Sequence, residues 1–190
     1  MKNDQSNIMR PFGLPESTST PVVTPLSASV VYASQSPDML DAQYTDKLPG
    51  YTYAREGHPN ADALAARIDA LEDVSGGIIT GSGMAAITAA IMGFLQRGDH
   101  IIAGDQLYGR SLRLLQNDLS RFGIEVTFCD ATNAVNVQKA LRTNTKMVLV
   151  EAVSNPTLRV ADLNGLSTLL GPKNILLAID NTFTTPLALR

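Results

Sequence analysis

The sequence predicts an α/β fold: a mostly parallel sheet with helices on both faces, preceded by an extended N-terminal arm. Beyond Gly76, short apolar runs alternate with segments whose apolar residues recur at helical spacing. The runs are nearly continuous rather than alternating, as in strands buried on both faces, and helices between such strands imply right-handed crossovers. The arm is set apart by composition. Residues 1–50 carry prolines at 11, 15, 21, 25, 37 and 49 among many Ser and Thr, which suits an extended chain better than a packed helical domain.

In chain order, Asn60 is expected to cap a helix with an apolar stripe of Ala61, Leu64, Ala65, Ile68 and Leu71, ending at Glu72–Asp73. Strands are expected at 77–80 (GIIT), 100–103 (HIIA), 124–128 (IEVTF), 146–151 (KMVLVE) and 174–180 (NILLAID). Met84, Ile87, Ile91 and Phe94 mark one helix face, Leu112, Leu115, Leu119 and Phe122 a second, and Leu163, Leu166, Leu169 and Leu170 a third. The connection at 133–142 has only a weak helical pattern. Ligands of such sheets sit beyond the carboxyl ends of the strands, which directs attention to Gly81–Met84, Asp105–Arg110, Cys129–Asp130, Glu151–Thr157 and Asp180–Pro186.

With 190 residues, 44% of them hydrophobic and 17% charged, the chain can bury one substantial core. Fifteen basic against eighteen acidic side chains give a net charge of -3, with no basic cluster, which argues against a nucleic-acid partner. The start MKNDQSNIMRPFG has no apolar core of a secretory signal, and no run approaches the ~18 apolar residues of a membrane span. The expected compartment is therefore the cytoplasm. Cys129 has no intrachain disulfide partner and is expected to be a buried small hydrophobe; His58 and His100 are too scattered to suggest a metal site.

The strongest local chemistry is TGSGM at 80–84, where a glycine-rich turn runs into a helix. Backbone N–H groups there and the positive end of the helix dipole suit a phosphate, although a tight turn has the same appearance. Gly81, Gly83 and Ala86, with Asp105 about twenty residues on, also satisfy the dinucleotide fingerprint. An NAD(P)-binding Rossmann domain is thus an alternative, but one that leaves the arm, Tyr108, the Asn155–Pro156 loop and DNTFTTP without a role. In GYTYAREGHPN, Tyr51, Tyr53 and Arg55 alternate, so an extended chain would present two phenols and a guanidinium on one side as an anion clamp; a solvated strand edge fits equally. Tyr108 stands at a strand end, where its ring could stack on a planar cofactor or simply pack. Asp180 closes an apolar strand, where its carboxylate needs a cationic or N–H partner: a pyridinium nitrogen, a buried Arg or a helix cap.

Taken together, YTYAR, SGMAAI, GD followed by QLYG, EAVSNPT and AIDNTFTTP resemble, in order, the motifs of the Cys/Met-metabolism (trans-sulfuration) enzymes that depend on pyridoxal 5′-phosphate (PLP). The family includes cystathionine γ-synthases, cystathionine γ- and β-lyases, methionine γ-lyases and O-acetylhomoserine sulfhydrylases, on the type I aminotransferase-like fold. The resemblance covers roughly residues 20–187. It implies that Ser82, Gly83 and Met84 meet the PLP phosphate, and that Tyr53 and Arg55 reach the phosphate of a neighbouring subunit's cofactor in a homo-oligomer. It further implies that Tyr108 stacks on the ring and assists proton transfer, Asp180 keeps the ring nitrogen protonated, Asn155 lies beside the ring hydroxyl and the amino-acid substrate, and Thr182 stands nearby. Two departures are His58 and Asn60 in place of the family's usual Asn and Thr, and Arg110 where lyases often carry a small residue or cysteine.

In the family, the lysine that holds PLP covalently lies in a Ser/Thr-rich stretch a little beyond the segment matching DNTFTTP. None of Lys2, Lys47, Lys139, Lys146 and Lys173 occupies such a motif. The expectation is therefore an arm over 1–60 and an incomplete PLP-binding domain over 61–190, a fragment inactive alone and prone to aggregate at an unpaired sheet edge. A non-catalytic partner that lends its arm to a full-length homologue is a further alternative.

Overall fold

A computed structural model describes residues 17–190; the sequence start discussed above, with Lys2, Pro11 and Pro15, lies outside the described residues. The chain divides into two units, one ending at Ala63 and the other Leu64–Arg190.

In the first unit most of the described part of the proline-rich stretch, from residue 17 on, lacks regular structure, but a helix that the composition did not suggest, α1 (Pro37–Tyr44), interrupts it. Its signals are local. Ser36 accepts from the N–H of Met39 (3.2 Å), Pro37 takes the first helical position and Asp38 lies in the first turn. An isolated antiparallel bridge pairs Val31 with Tyr53, and the Tyr32 ring lies 5.5 Å from that of Tyr51. Helix α2 (Pro59–Glu72) starts before Asn60, so Asn60 is not its cap. Pro59 fits the first position because that residue needs no N–H partner. The ring of His58 accepts the N–H of Asn60 (3.2 Å), which frees the Asn60 amide to clasp the main chain of Ser27 at 3.0 and 2.9 Å. Of the apolar stripe, only Ala65 is buried.

In the second unit, β1 (His100–Gly104), β2 (Glu125–Cys129), β3 (Thr145–Glu151) and β4 (Leu176–Asp180) form a parallel sheet of order β2-β1-β3-β4. Helices α3 (Gly83–Phe94), α4 (Gly109–Arg113), α5 (Ala134–Ala140) and α6 (Leu163–Leu170) pack around it, and a short α7 (Thr185–Ala188) follows β4. The period of two along the strands divides the core. Ile101, Ala103, Met147 and Leu149 join Ile91, Leu115 and Leu119 in one cluster, while Ile102, Val148 and Val150 join Val137, Leu166 and Leu170 in the other. Burying each such side chain is worth about 1.5–3 kcal/mol. The two-sided burial explains the near-continuous apolar runs of the central strands β1 and β3.

Two expectations need correction. Residues 77–80 form no strand: Ile78 is 86% exposed, and the Gly77 N–H goes to the Asp69 carboxylate (3.1 Å) rather than to a ladder. Strand residues need a partner, and among the described residues the sheet consists of β2-β1-β3-β4, with 77–80 paired to none of them. The segment 112–122 is also not one helix. After α4 comes a π-helical turn at Leu114–Asp118 and a 3-10 turn at Leu119–Phe122, ended by Gly123 at φ 73. Leu115 and Leu119 remain buried, but Phe122 faces solvent. Among the described residues no helix is long and apolar enough to cross a membrane.

His100 is wholly buried, its Nδ1 2.8 Å from the Thr145 hydroxyl and its Nε2 2.9 Å from that of Thr127. Burial, and then the Arg142 charge, lower its pKa from the ordinary 6.5, with Glu125 opposing. The unfolded chain therefore takes up a proton that native His100 resists, so this contribution is complete above about pH 6.5 and is lost as pH falls below it. Between about pH 7.5 and 5.5, the unfolding free energy from urea titration should fall more for the wild type than for His100→Gln, by no more than about 1.4 kcal/mol per pH unit. Parallel profiles would refute this.

Candidate functional site

Because the strands are parallel, their carboxyl ends share one edge of the sheet. A cavity of about 370 Å3 opens there. Ser82, Gly83, Met84 and Ile87 line it from the start of α3, Tyr108 from the loop after β1, Glu151, Val153 and Asn155 from the end of β3, and Asp180, Thr182 and Phe183 from the end of β4. The residues of this unit that the family resemblance implies for the cofactor, Ser82, Gly83, Met84, Tyr108, Asn155, Asp180 and Thr182, thus border a single cavity, whereas Gly81, Ala86 and Asp105 of the dinucleotide fingerprint do not line it. Its size falls within the range of small-molecule sites.

At one wall Ser82, in extended conformation, caps α3 by accepting from the N–H of Ala85 (3.1 Å). The N–H groups of Gly83 and Met84 precede the first intrahelical bond and point out of the helix. A Cβ built on Gly83 would meet nothing within 4 Å, so the glycine leaves the helix terminus open. At the end of β4, Oδ1 of Asp180 accepts both the N–H (3.0 Å) and the hydroxyl (2.5 Å) of Thr182, and Oδ2 takes part in neither bond. The Thr182 hydroxyl is thereby committed to orienting Asp180.

Glu151 is a charged lining residue that the sequence reading placed only at the start of a strand-end segment, without a role of its own. Its signal was the same as that of Asp180, an acid closing an apolar strand, and the two acids are register partners across β3 and β4. Oε1 of Glu151 accepts from the N–H of Tyr108 (2.5 Å) and Oε2 from the N–H of Asn155 (3.1 Å). Burial raises its pKa, those two bonds work against the shift, and the charge of Asp180 adds to it.

The loop that follows β3 is tied down on its far side. Arg159 pairs with Asp130 and, at 3.6 Å, with Asp105, while the Thr157 hydroxyl donates to Gln106 (2.7 Å). Hydrogen bonds from Thr132 are the main reason that the Asp130 carboxyl is held low, with Arg159 adding to them. Cys129 beside them is half-buried rather than fully buried, and its thiol is pushed up to about 11, first by burial and then by Asp105 and Asp130. It stays protonated at neutral pH. Asp105 thus faces Arg159 in a separate small cleft, and no strand leads into Gly81. Both findings remove the basis of the dinucleotide reading. Arg110, exposed on α4, does not line the cavity.

Tyr53 and Arg55 belong to the first unit, and the extended clamp expected of 51–55 is absent. The chain turns after Tyr53, whose C=O accepts the N–H of Glu56 (2.9 Å). The Arg55 guanidinium consequently folds over the Tyr53 ring at 4.7 Å and pairs with Glu56 at 3.3 Å, while the Tyr51 hydroxyl donates to Asp62 (2.8 Å).

A parallel sheet covered on both faces thus carries, around one cavity, the amino terminus of a helix and a strand-end carboxylate. Residues 12–190 match the family model of the Cys/Met metabolism PLP-dependent enzymes, and the chain belongs to that family. It is 41% identical over 138 residues to an L-methionine gamma-lyase of Fusobacterium nucleatum, covering 72% of this chain and 35% of that protein. It is 42% identical over 137 residues to a cystathionine gamma-lyase of Bacillus subtilis, covering 72% and 36%. A putative O-acetylhomoserine (thiol)-lyase from Campylobacter jejuni, solved with N'-pyridoxyl-lysine-5'-monophosphate, superposes with a TM-score of 0.82 at 29% identity, over 86% of this chain and 41% of that one. The chain therefore has the PLP-transferase-like fold and spans less than half the length of these relatives. The donor set fits the family's cofactor, pyridoxal 5′-phosphate: helix-terminal N–H groups suit its phosphate, and a carboxylate suits its ring nitrogen.

Ser82→Ala should cost about 1 kcal/mol of stability by removing the cap of α3, and Ser82→Thr should restore most of it. Urea denaturation decides; equal midpoints for all three proteins would show that the cap carries nothing.

Proposed function

We propose that this cavity is the cofactor site of a trans-sulfuration enzyme of the cystathionine γ-synthase or γ-lyase type, acting on a sulfur amino acid or an activated homoserine by γ-replacement or γ-elimination. The observation that carries the reading is that the open amino terminus of α3 and the Asp180 carboxylate border one cavity. The N–H groups of Gly83 and Met84 bind the phosphate, on a turn fixed by Ser82. Asp180, steadied by Thr182, accepts from the ring nitrogen and keeps it protonated. Tyr108, which lines the cavity, would pack against the bound cofactor and hold or deliver a proton at the leaving sulfur. Asn155 orients the ring hydroxyl and the substrate. When bound, PLP supplies an electron sink for the charge that develops at the substrate's α-carbon.

Among the described residues no lysine lines the cavity. We therefore assign the chain of 190 residues non-covalent cofactor binding without turnover of its own. Tyr53 and Arg55 serve the phosphate of a neighbouring subunit's cofactor, which makes the working enzyme a homo-oligomer. In support, Val22, Val23 and Leu26 of the first unit are 102%, 76% and 90% exposed, an apolar stretch suited to lying on another surface.

Titrating the chain with PLP and following its visible absorption should give saturable binding, weakened about tenfold or more in Asp180→Asn by loss of a charge-assisted bond. Equal binding by both proteins, or none by the wild type, would overturn the reading. Borohydride treatment followed by intact mass should leave the chain unlabelled; a stoichiometric label would refute the non-covalent assignment.

A further inference from the structure

Glu151 is a costly residue to place where it is. It closes the central strand β3, it is only partly exposed, and a second acid, Asp180, stands opposite it in register. Among the described residues it makes no ion pair. A carboxylate desolvated beside another carboxylate destabilises the fold unless its oxygens are hydrogen-bonded. Its bonds go to two main-chain N–H groups that belong to separate loops, Tyr108 after β1 and Asn155 after β3. The first of these partners is 43 residues away in the chain. Each loop presents a side chain to the cavity.

We infer that Glu151 is a positioning residue: one carboxylate, by holding both N–H groups, fixes the placement of Tyr108 relative to Asn155 at the cavity. The inference rests on the reading of the cavity as the cofactor site. An ionised carboxylate is acceptor-only on both oxygens and so can serve two donors at once. Glutamine has nearly the same shape, but its amide nitrogen would confront one of the two N–H groups and release that loop. Aspartate is one methylene shorter and cannot span both. The far side of the loop after β3 is anchored independently by Arg159 on Asp105 and Asp130. Loss of Glu151 therefore frees the aim of the loop, not its attachment.

Amide hydrogen exchange on the cofactor-free protein, followed by PLP titration, tests this. In Glu151→Gln, exchange at Tyr108, Asn155 or both should accelerate by about tenfold or more, as expected for a lost charge-assisted bond. Ile102 and Val148 in the central strands should keep wild-type protection, showing that the sheet is intact. The dissociation constant for PLP should rise by about tenfold. Glu151→Asp should free one amide only. Glu125→Gln, the same change at an exposed acid on β2, should alter neither readout. Wild-type protection of both amides in Glu151→Gln, or unchanged PLP affinity despite a freed amide, would overturn the inference. A wild type that binds PLP while Glu151→Gln binds it equally refutes the inference alone, whereas a wild type that takes up no PLP refutes the reading of the cavity and the positioning role with it.

Discussion

Two strands, β1 and β3, have neighbours on both sides in the sheet and apolar clusters against both faces. Almost every side chain along them is committed to packing; the exposed Lys146 is the exception on β3. Polar chemistry is affordable only where these strands stop. Since all pairings are parallel, the stops coincide: Gly104 pairs with Cys129 and Glu151 with Asp180. The functional edge is thus a consequence of strand direction and two-sided burial before any particular side chain is considered.

At that edge negative charge is gathered and then individually satisfied. Asp180 is met by the backbone and hydroxyl of its own turn, Glu151 by two loops, and Asp105 and Asp130 by the single guanidinium of Arg159. The amino terminus of α3, whose polarity is opposite, lines the same cavity.

Most of this architecture was legible in the sequence. Four of the five strands appear within two residues of where the apolar runs placed them, because a strand buried on both faces leaves a mark in its own residues. The run at 77–80 carries the same mark, but pairing is a property of two segments and only one is visible in a local pattern. The α4 region kept its buried face while losing its helical regularity, since burial depends on side-chain spacing and the helix type on backbone detail. Asn60 was misread as a cap because Pro59 was not considered as the first helical residue. For the site, the strand-end rule pointed to the loops that carry Tyr108, Asn155 and Asp180, and these line one cavity together with Ser82, which follows a glycine-rich turn rather than a strand. It left Glu151 without a role, since its partners are main-chain groups that no sequence pattern advertises. The turn after Tyr53, which withdraws Arg55 from an extended row, depends on a backbone bond equally invisible in residue types.

The buried histidine at the opposite end of the sheet has a geometric consequence. Thr127, His100 and Thr145 lie on β2, β1 and β3, so their hydrogen bonds run crosswise through three adjoining strands. They do so where the β1–β3 pairing skips a residue, between His100 opposite Thr145 and Ile101 opposite Met147. Backbone ladders can slide; this side-chain chain cannot, because a displaced neighbour would leave a ring nitrogen sealed in the interior with no partner. The trio works as an alignment pin, and the mutual level of the strand ends some five residues away, where the acids and loops of the cavity meet, is set by it.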